Sequence, residues 1–257
     1  MEGMVFNLSR IVSIASGKGG VGKSTIAAGI STSLAQKGYK VLAIDADIGL
    51  RNLDLFFGIS NISVFDFSDV LYGHCSLEKA VVKHENIPNL SFLTAPQIST
   101  TEEIRTDALK SICQMAKKSY DFIIIDCPAG IGSGFINAAI ASDVSLVVAT
   151  PDHTSIRDAD RAAGLIYERG VDEVRLIINR VRADLMKKGL VANVDDMIDG
   201  ISLRLIGIVP EDEKVLIASN AGKPITLSKS KSKASKAIDD IAGRLTGEDI
   251  KIYKFWK

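Results

Sequence analysis

The chain has 257 residues, of which 46% are hydrophobic, so it is long enough to bury a large core in one domain. Its formal net charge is zero, which excludes a global field that would draw the whole molecule to nucleic acid or anionic lipid. Its three cysteines lack C-x-x-C spacing, which argues against a zinc or iron–sulfur site and favours a reducing compartment. Since no run reaches the ~18 apolar residues of a membrane span, we expect a cytoplasmic protein.

The first predicted strand and the first predicted helix enclose a glycine-rich loop. The strand covers residues 11–15, the loop S-G-K-G-G-V-G-K-S-T covers Ser16–Thr25, and the helix runs from near Lys23 to Lys37 and is ended by Gly38. Glycines let successive backbone N–H groups point at phosphate oxygens, and the start of the helix adds the positive end of its dipole. The complete G-x-x-x-x-G-K-S pattern between a strand and a helix predicts a nucleoside triphosphate site.

The side chains of this loop suit a phosphate ligand. Lys23 can place its charge on the β- and γ-phosphates, and the Ser24 hydroxyl is a suitable Mg²⁺ ligand. Lys18 goes beyond what phosphate binding requires, and it is either a solvated surface lysine or a charge delivered to a transferring phosphoryl group. The predicted nucleotide-binding residues of the loop are Gly17, Lys18, Gly19, Gly20, Val21, Gly22, Lys23, Ser24 and Thr25.

Strands and helices alternate along the rest of the chain. Further strands are predicted at 41–44, 90–93, 120–126, 144–149, 174–178 and 203–209. Helices are predicted at 53–57, 64–71, 77–82, 101–118, 155–169, 211–221 and 229–244. This order predicts one α/β P-loop domain over residues 1–249, with a mostly parallel, twisted sheet of about seven or eight strands and helices on both faces.

Polar side chains follow several of the predicted strands. Because ligands of open α/β sheets gather at the carboxyl ends of the strands, these side chains should surround the nucleotide. Asp126 follows three isoleucines and is placed to hold Mg²⁺, although an aspartate there could also cap a helix. Asp45 and Asp47 either serve Mg²⁺ and the attacking water or simply cap the loop. Asn179 either forms a turn or contacts the nucleotide base.

Five blocks of the sequence resemble the MinD branch of the MinD/ParA family, the ATPases with a second lysine in the phosphate loop. They are S-G-K-G-G-V-G-K-S-T (16–25), D-A-D-I-G-L-R-N-L-D-L (45–55), D-C-P-A-G-I (126–131), S-I-R-D-A-D-R (155–161) and G-I-V-P-E-D (207–212). From where these blocks fall, the resemblance extends over about nine-tenths of the chain. The resemblance implies a septum-positioning, Mg²⁺-dependent ATPase that dimerises on ATP, hydrolyses it slowly and is stimulated by a partner.

The resemblance also implies roles for individual residues. Lys18, Lys23 and Asp47 are catalytic, with Lys18 acting across the dimer and Asp47 orienting the water. Ser24, Asp45 and Asp126 hold Mg²⁺, and Asn179 and Pro210 contact adenine. Arg51 and Asn52 lie at the dimer face, although Arg51 could also be a solvated loop charge. The segment Arg157–Arg161 binds a MinC-like division inhibitor and an activating, MinE-like partner, although its charges could also form an ordinary solvated helix face.

The end of the chain bears on localisation. The segment Ile250–Lys257 interleaves aromatic residues with lysines and is a candidate weak membrane anchor, so the resemblance predicts peripheral attachment to the inner face of the cell membrane. It is shorter than the ~12 residues of a marginal helix, and it could instead pack on the body.

Lys229, Lys233 and Lys236 share one face of the last predicted helix. That face is either ordinary solvated surface or a site for anionic lipid or DNA phosphates. Two alternatives therefore stay open: a ParA-like partition ATPase that binds DNA nonspecifically, which the zero net charge disfavours, and a nucleotide-gated scaffold with little hydrolysis.

Overall fold

The computed structural model describes residues 9–47, 52–59, 64–94, 96, 106–227, 232–252 and 254, with the side chains of 106 and 107 left out. In this part of the chain, eight strands form one sheet. They are β1 (Arg10–Ala15), β2 (Val41–Asp45), β3 (Val82–Lys83), β4 (Leu90–Leu93), β5 (Phe122–Asp126), β6 (Val144–Ala149), β7 (Glu173–Val181) and β8 (Arg204–Pro210).

The strand order places the first strand at the centre of the sheet. The order is β3-β4-β2-β5-β1-β6-β7-β8, and every neighbouring pair is parallel except β3 and β4. The order reverses beside β1, which lies between β5 and β6. Ligands of such sheets bind outside the carboxyl ends of the strands at this reversal, and the glycine-rich loop follows β1 there.

Helices cover both faces of the sheet. They are α1 (Lys23–Gln36), α2 (Leu53–Phe57), α3 (Phe67–Leu71), α4 (Leu77–Ala80), α5 (Thr106–Ala116), α6 (Ser133–Ala139), α7 (His153–Glu168), α8 (Ala183–Lys187), α9 (Val194–Ile201), α10 (Glu213–Asn220) and α11 (Lys233–Leu245), with a 3-10 turn at Ile225–Leu227. Within the described residues, no helix is both long and apolar enough to span a bilayer.

Two apolar cores lie on opposite faces of the sheet, and β5 contributes to both. Ile123 and Ile125 point into the core that contains residues of α5, α6, α7 and α9, whereas Ile124 points into the core with α1 and α11. All three isoleucine side chains are fully buried. Successive side chains of a strand point to opposite faces, so a continuous apolar run is required where both faces are covered.

The α/β class, the mostly parallel sheet and the strand number are confirmed, but several predicted boundaries are wrong. Side-chain caps explain most of the shifted helix starts: Asp66, Asp152 and Asp212 accept backbone N–H bonds, so helices begin at Phe67, His153 and Glu213.

The helix predicted at 77–82 ends at Ala80, because Val82 and Lys83 pair with β4. Strand β5 begins at Phe122 instead of 120, and β7 extends to Val181. The helix predicted at 101–118 is described only over Thr106–Ala116.

The sequence analysis missed β3, α6, α8 and α9. Helices α6 and α8 are short and β3 has two residues, so these three give little periodic signal. Helix α9 does have apolar residues at helical spacing, Val194, Met197 and Ile201, after its cap Asn193, and this signal could have found it.

The last helix and the start of the tail are held against the body. Helix α11 begins at Lys233 after its cap Ser232, and its buried side chains include Ala234, Ile238, Ile241 and Leu245. Residues 228–231 lie outside the described part, so Lys229 is not placed. Ile250–Ile252 is not helical, and Arg244 holds it by donating hydrogen bonds to the carbonyl oxygens of Ile250 (2.8 Å) and Lys251 (3.1 Å). Tyr253 and residues 255–257 also lie outside the described residues.

Candidate nucleotide site

The glycine-rich loop leaves β1 and enters α1 through two left-handed residues. Gly20 and Gly22 have φ of +79° and +95°, values that side chains other than glycine rarely adopt. Gly22 is the N-cap of α1 and its carbonyl accepts the first helical bond from Ile26 (3.0 Å). Because Gly22 has no side chain to cap the helix, the first amide groups of α1 remain available to an anion.

The lysine at the start of α1 is bound to the aspartate at the end of β5. Lys23 Nζ lies 2.7 Å from Asp126 Oδ1, and the two side chains are only 9% and 2% exposed. The Ser24 hydroxyl is also hydrogen-bonded to the Asp126 carboxylate. The three predicted residues therefore meet at the centre of the sheet, although Lys23 and Asp126 are 103 positions apart.

Burial and charge act against each other in this pair. Burial lowers the pKa of Lys23, but the Asp126 carboxylate outweighs it, so the pKa of Lys23 lies above its ordinary value. Burial raises the pKa of Asp126, and Lys23 offsets only part of that change. A ligand phosphate that attracts Lys23 would free an oxygen of Asp126 beside the Ser24 hydroxyl.

The donor set at this position fits Mg²⁺. Hydroxyl and carboxylate oxygens are suitable ligands for this ion, which usually takes one or two protein ligands together with substrate phosphates. Within the described residues, no three His, Cys, Asp or Glu side chains form a metal cluster. When bound, Mg²⁺ would be held by Ser24 and Asp126 and would neutralise phosphate charge.

Asp45 is engaged by the backbone of its own loop. Its carboxylate is fully buried and accepts N–H bonds from Asp47, Asn52 and Leu53, each at 3.0 Å. This geometry makes Asp45 a cap for α2 and for the preceding loop, which is one of the two roles considered for it. Its assignment to Mg²⁺ stays a prediction.

Asp47 lies beside this loop and is partly exposed. Burial raises the pKa of its carboxyl, with Lys23 opposing and Asp45 adding to the rise. The charges of Lys23 and Asp47 act on each other's pKa. The role of Asp47 in orienting water stays a prediction.

Asn179 supports the glycine-rich loop from the side. Its amide nitrogen donates to the carbonyl of Val21 (2.8 Å), and a Cβ added to Gly22 would lie 2.3 Å from that nitrogen. Strand β7 is irregular just beyond it, where Arg180 has φ of +56°. Pro210 is buried at the end of β8 and pairs with Val181. Asn179 and Pro210 therefore lie on adjacent strands, and their contact with adenine stays a prediction.

The second lysine of the loop points in another direction. Lys18 Nζ lies 3.0 Å from the Thr154 hydroxyl and 3.4 Å from an Asp152 carboxylate oxygen, in the first turn of α7. The exposed residues of the segment 157–161 are Arg157, Asp160 and Arg161 on the same helix. Arg51, predicted at the dimer face, lies outside the described residues.

Known proteins resemble this chain in sequence and in fold. A family model described as an AAA domain matches residues 9–167. The septum site-determining protein MinD of Synechocystis is 40% identical over 248 residues, which cover 96% of this chain and 93% of that protein. The chain belongs to the MinD family.

Solved structures of MinD proteins agree in fold. A MinC:MinD cell division complex from Aquifex aeolicus matches with a TM-score of 0.88 and 42% identity, covering 95% of this chain and 98% of that one. A Pyrococcus horikoshii MinD complexed with Mg-ADP matches with a TM-score of 0.82 and 28% identity, covering 94% and 100%. The predicted P-loop fold and the resemblance to the MinD family are therefore confirmed.

The structure adds residues that the sequence analysis did not find. Asp152 and Thr154 contact Lys18, and the backbone carbonyl of Asp158 lies against Gly17, where an added Cβ would be only 2.1 Å away. The pattern D-x-x-S at Asp152–Ser155 could have indicated the helix cap. Nothing in the local sequence pairs that cap with a lysine 134 positions earlier.

Proposed function

We propose that this MinD-family protein is a Mg²⁺-dependent ATPase that dimerises on ATP and uses slow hydrolysis to time its association with a membrane and with partners that position the division septum. The observation that carries the proposal is the buried contact of Lys23 with Asp126 beneath the glycine-rich loop. The Mg-ADP complex of the Pyrococcus horikoshii relative supports the same ligand for this site.

In this proposal the loop binds the phosphates before any chemistry occurs. Lys23 turns from Asp126 to the β- and γ-phosphates, and the backbone N–H groups of the loop and of α1 hold the phosphate oxygens. A water molecule attacks the γ-phosphorus, the bond from that phosphorus to the β–γ bridging oxygen breaks, and ADP leaves with the bond electrons while phosphate takes the hydroxyl. Asp47 orients the water, and the released proton passes to solvent.

Lys18 supplies charge to the γ-phosphate of a second subunit in the dimer. Such a charge in trans is the part of a phosphoryl-transfer site that can make hydrolysis depend on assembly. We expect Lys18→Ala to lower the ATP turnover rate by about 1,000-fold or more, on the scale known for arginine fingers, and to weaken ATP-dependent dimerisation. Normal turnover and normal dimerisation of Lys18→Ala would overturn the shared site.

The proposal also covers the protein partners and the location of the protein in the cell. The Aquifex aeolicus MinD forms a complex with MinC, which supports a MinC-like inhibitor as a partner of this chain. An activating partner would speed hydrolysis, and the exposed residues Arg157, Asp160 and Arg161 offer a surface for either protein. The tail from Ile250 onward would attach the protein to the inner face of the cell membrane.

Sedimentation with anionic liposomes tests whether the protein binds a membrane when ATP is bound. With ATP, and not with ADP, the wild-type chain should sediment with the vesicles, and deletion of residues 250–257 should abolish that binding. Binding to DNA with ATP and no binding to liposomes would favour the ParA-like partition alternative. Binding to neither, with ATP-dependent dimerisation intact, would favour the nucleotide-gated scaffold.

A further inference from the structure

A half-buried histidine, His84, joins the turn between β3 and β4 to the end of α2. Its Nδ1 accepts hydrogen bonds from the backbone N–H groups of Asn86 and Ile87, both at 3.1 Å. Because Nδ1 accepts, the ring carries its proton on Nε2, and Nε2 donates it to the Phe57 carbonyl oxygen at 2.9 Å. The two ring nitrogens therefore bind two different elements of the fold.

The carbonyl group that His84 binds lies in the last turn of α2. Carbonyl groups at this end of a helix have no partner within the helix, so a donor from another element can satisfy them. The Phe57 ring is buried against Phe92 of β4, with the ring centroids 5.8 Å apart. A Cβ added to Gly58 would lie 2.2 Å from the Gly222 carbonyl oxygen, so the chain is also tightly packed on that side. The end of α2 is thus held in one position, and His84 supplies the polar contact.

The start of α2 is bound to the loop that carries Asp47. One oxygen of the Asp45 carboxylate accepts the N–H groups of Asn52 and Leu53, and the other accepts the N–H group of Asp47, each at 3.0 Å. Helix α2 has only five residues, little more than one turn, so it should move as one body. A shift at the end of α2 would therefore reach Asp45 and, through its carboxylate, Asp47.

We infer that His84 is a positioning residue for ATP hydrolysis, which acts through α2 and Asp45 on the backbone of Asp47. The inference rests on the proposed function, in which Asp47 orients the attacking water. The phosphates are bound by the glycine-rich loop and Lys23, which belong to the β1–α1 segment. Loss of the contact between His84 and α2 should therefore lower the turnover rate at saturating ATP and leave the apparent affinity for ATP nearly unchanged.

Two amide variants separate the two hydrogen bonds of the ring. His84→Asn places a polar atom as many bonds from Cα as Nδ1, so it can still accept from Asn86 and Ile87 but cannot reach Phe57. His84→Gln places a polar atom as many bonds from Cα as Nε2, so it can still donate to the Phe57 carbonyl but leaves the turn without its acceptor. A histidine that served only the β3–β4 turn would be replaced better by asparagine. A histidine that positions α2 would be replaced better by glutamine.

A phosphate-release assay with Mg-ATP tests this inference, at protein concentrations where turnover per subunit no longer changes. His84→Asn should lower kcat about 5- to 20-fold, less than the ~100-fold that a misplacement of 1 Å can cost, and should keep KM within about two-fold of wild type. His84→Gln should keep both kcat and KM within about two-fold of wild type. His74→Asn, at an exposed histidine on the turn after α3, is the control for loss of an imidazole and should change neither constant.

Urea unfolding without nucleotide separates positioning from stability. His84→Gln should be no more stable than His84→Asn, because two backbone N–H groups of the turn lose their acceptor. The inference would be overturned if the two variants had equal kcat values, if His84→Gln had the lower one, or if the loss of kcat followed the loss of stability. A wild-type chain that does not hydrolyse ATP overturns the proposed function as well, whereas a wild-type ATPase whose kcat is unchanged by His84→Asn overturns only the role of His84.

Discussion

The two lysines of the phosphate loop belong to two different environments, although only four residues separate them. Lys23 contacts Asp126 at the buried centre of the sheet, at 2.7 Å, whereas Lys18 contacts Asp152 and Thr154 at the surface of α7. The interior contact has almost no water around it. The side chains of the Lys18 contact are partly exposed to solvent.

This difference decides what each contact can do. Charges attract strongly where water is excluded, and breaking a buried pair leaves an uncompensated charge, so Lys23 and Asp126 should determine stability as well as ligand binding. Solvent weakens the outer pair, so it adds little to stability and exchanges partners easily. The same residue type thus forms a buried ion pair on one side of the loop and a solvent-exposed contact on the other.

The largest effect should come from breaking the interior pair with Lys23→Met. The Asp126 carboxylate would be left buried without its cation, so the free energy of unfolding without nucleotide should fall by about 3 kcal/mol, and ATP binding should be lost. Urea unfolding and titration with a fluorescent ATP analogue measure the two effects. The double variant Lys23→Met with Asp126→Asn should recover part of the stability but no ATP binding. If Lys23→Met were as stable as wild type, the buried pair would contribute no more to stability than the exposed contact of Lys18, contrary to the comparison made above.

Gly17→Ala should have the next largest effect, because it separates the loop from α7. The new Cβ would lie 2.1 Å from the Asp158 carbonyl oxygen, so loop or helix must shift, at a cost of about 2 kcal/mol in the free energy of unfolding. Gly19→Ala is the matched control, since its Cβ would meet only the Ala129 side chain at 3.8 Å, and it should change stability by less than about 0.5 kcal/mol. Equal denaturation curves for the two variants would contradict the tight contact.

Lowering the pH should have a smaller effect on stability, through the Asp152 carboxylate that contacts Lys18. The pKa of Asp152 is lower in the folded state than in the unfolded chain, so its charge stabilises the fold at pH values above about 4, the unfolded value, and that contribution is lost as the pH falls further. Asp152→Asn keeps the cap oxygen and removes the charge. At pH 7 wild type should be more stable than Asp152→Asn by less than about 1 kcal/mol. Thermal unfolding between pH 7 and pH 3 should show this difference shrinking below pH 4, and a constant difference would argue against the charge.

The smallest effect on stability should be that of Lys18→Ala. Because Lys18 is exposed, the free energy of unfolding of the single subunit should change by less than about 0.5 kcal/mol. The same variant should lose most of its ATP turnover, so stability and activity would separate at this residue. Urea unfolding without nucleotide makes the comparison with Lys23→Met direct. A large loss of stability in Lys18→Ala would mean that the outer contact is structural too.

Much of the buried environment of Lys23 and Asp126 could be predicted from short stretches of sequence. The run Ile123–Ile125 is apolar at every position, which requires a strand buried on both faces, and Asp126 follows it directly. The glycines at positions 20 and 22 occupy left-handed conformations that their residue type favours. Such features depend on near neighbours in the chain, where side-chain period and backbone preference are strong signals.

The contact of Lys18 with the start of α7 could not be predicted in the same way. The helix cap at Asp152 is a local pattern, but its contact with Lys18 depends on β6 lying beside β1 in the sheet. Asp45 shows the same limit within one loop: its position at a strand end suggested a metal ligand or a cap, and only the folded loop placed three backbone N–H groups on its carboxylate.

The sequence by itself determined the P-loop, the alternation of strands and helices, and membership of the MinD family, because each is encoded in residues that are close together or in blocks that keep their order. The tertiary structure alone decided which acid each loop lysine contacts, that Gly17 lies against Asp158, and that Asn179 supports Val21. Strand order and helix packing create these contacts between residues more than 100 positions apart. Local preferences do not specify them, since the same lysine and aspartate would be solvated in an open chain.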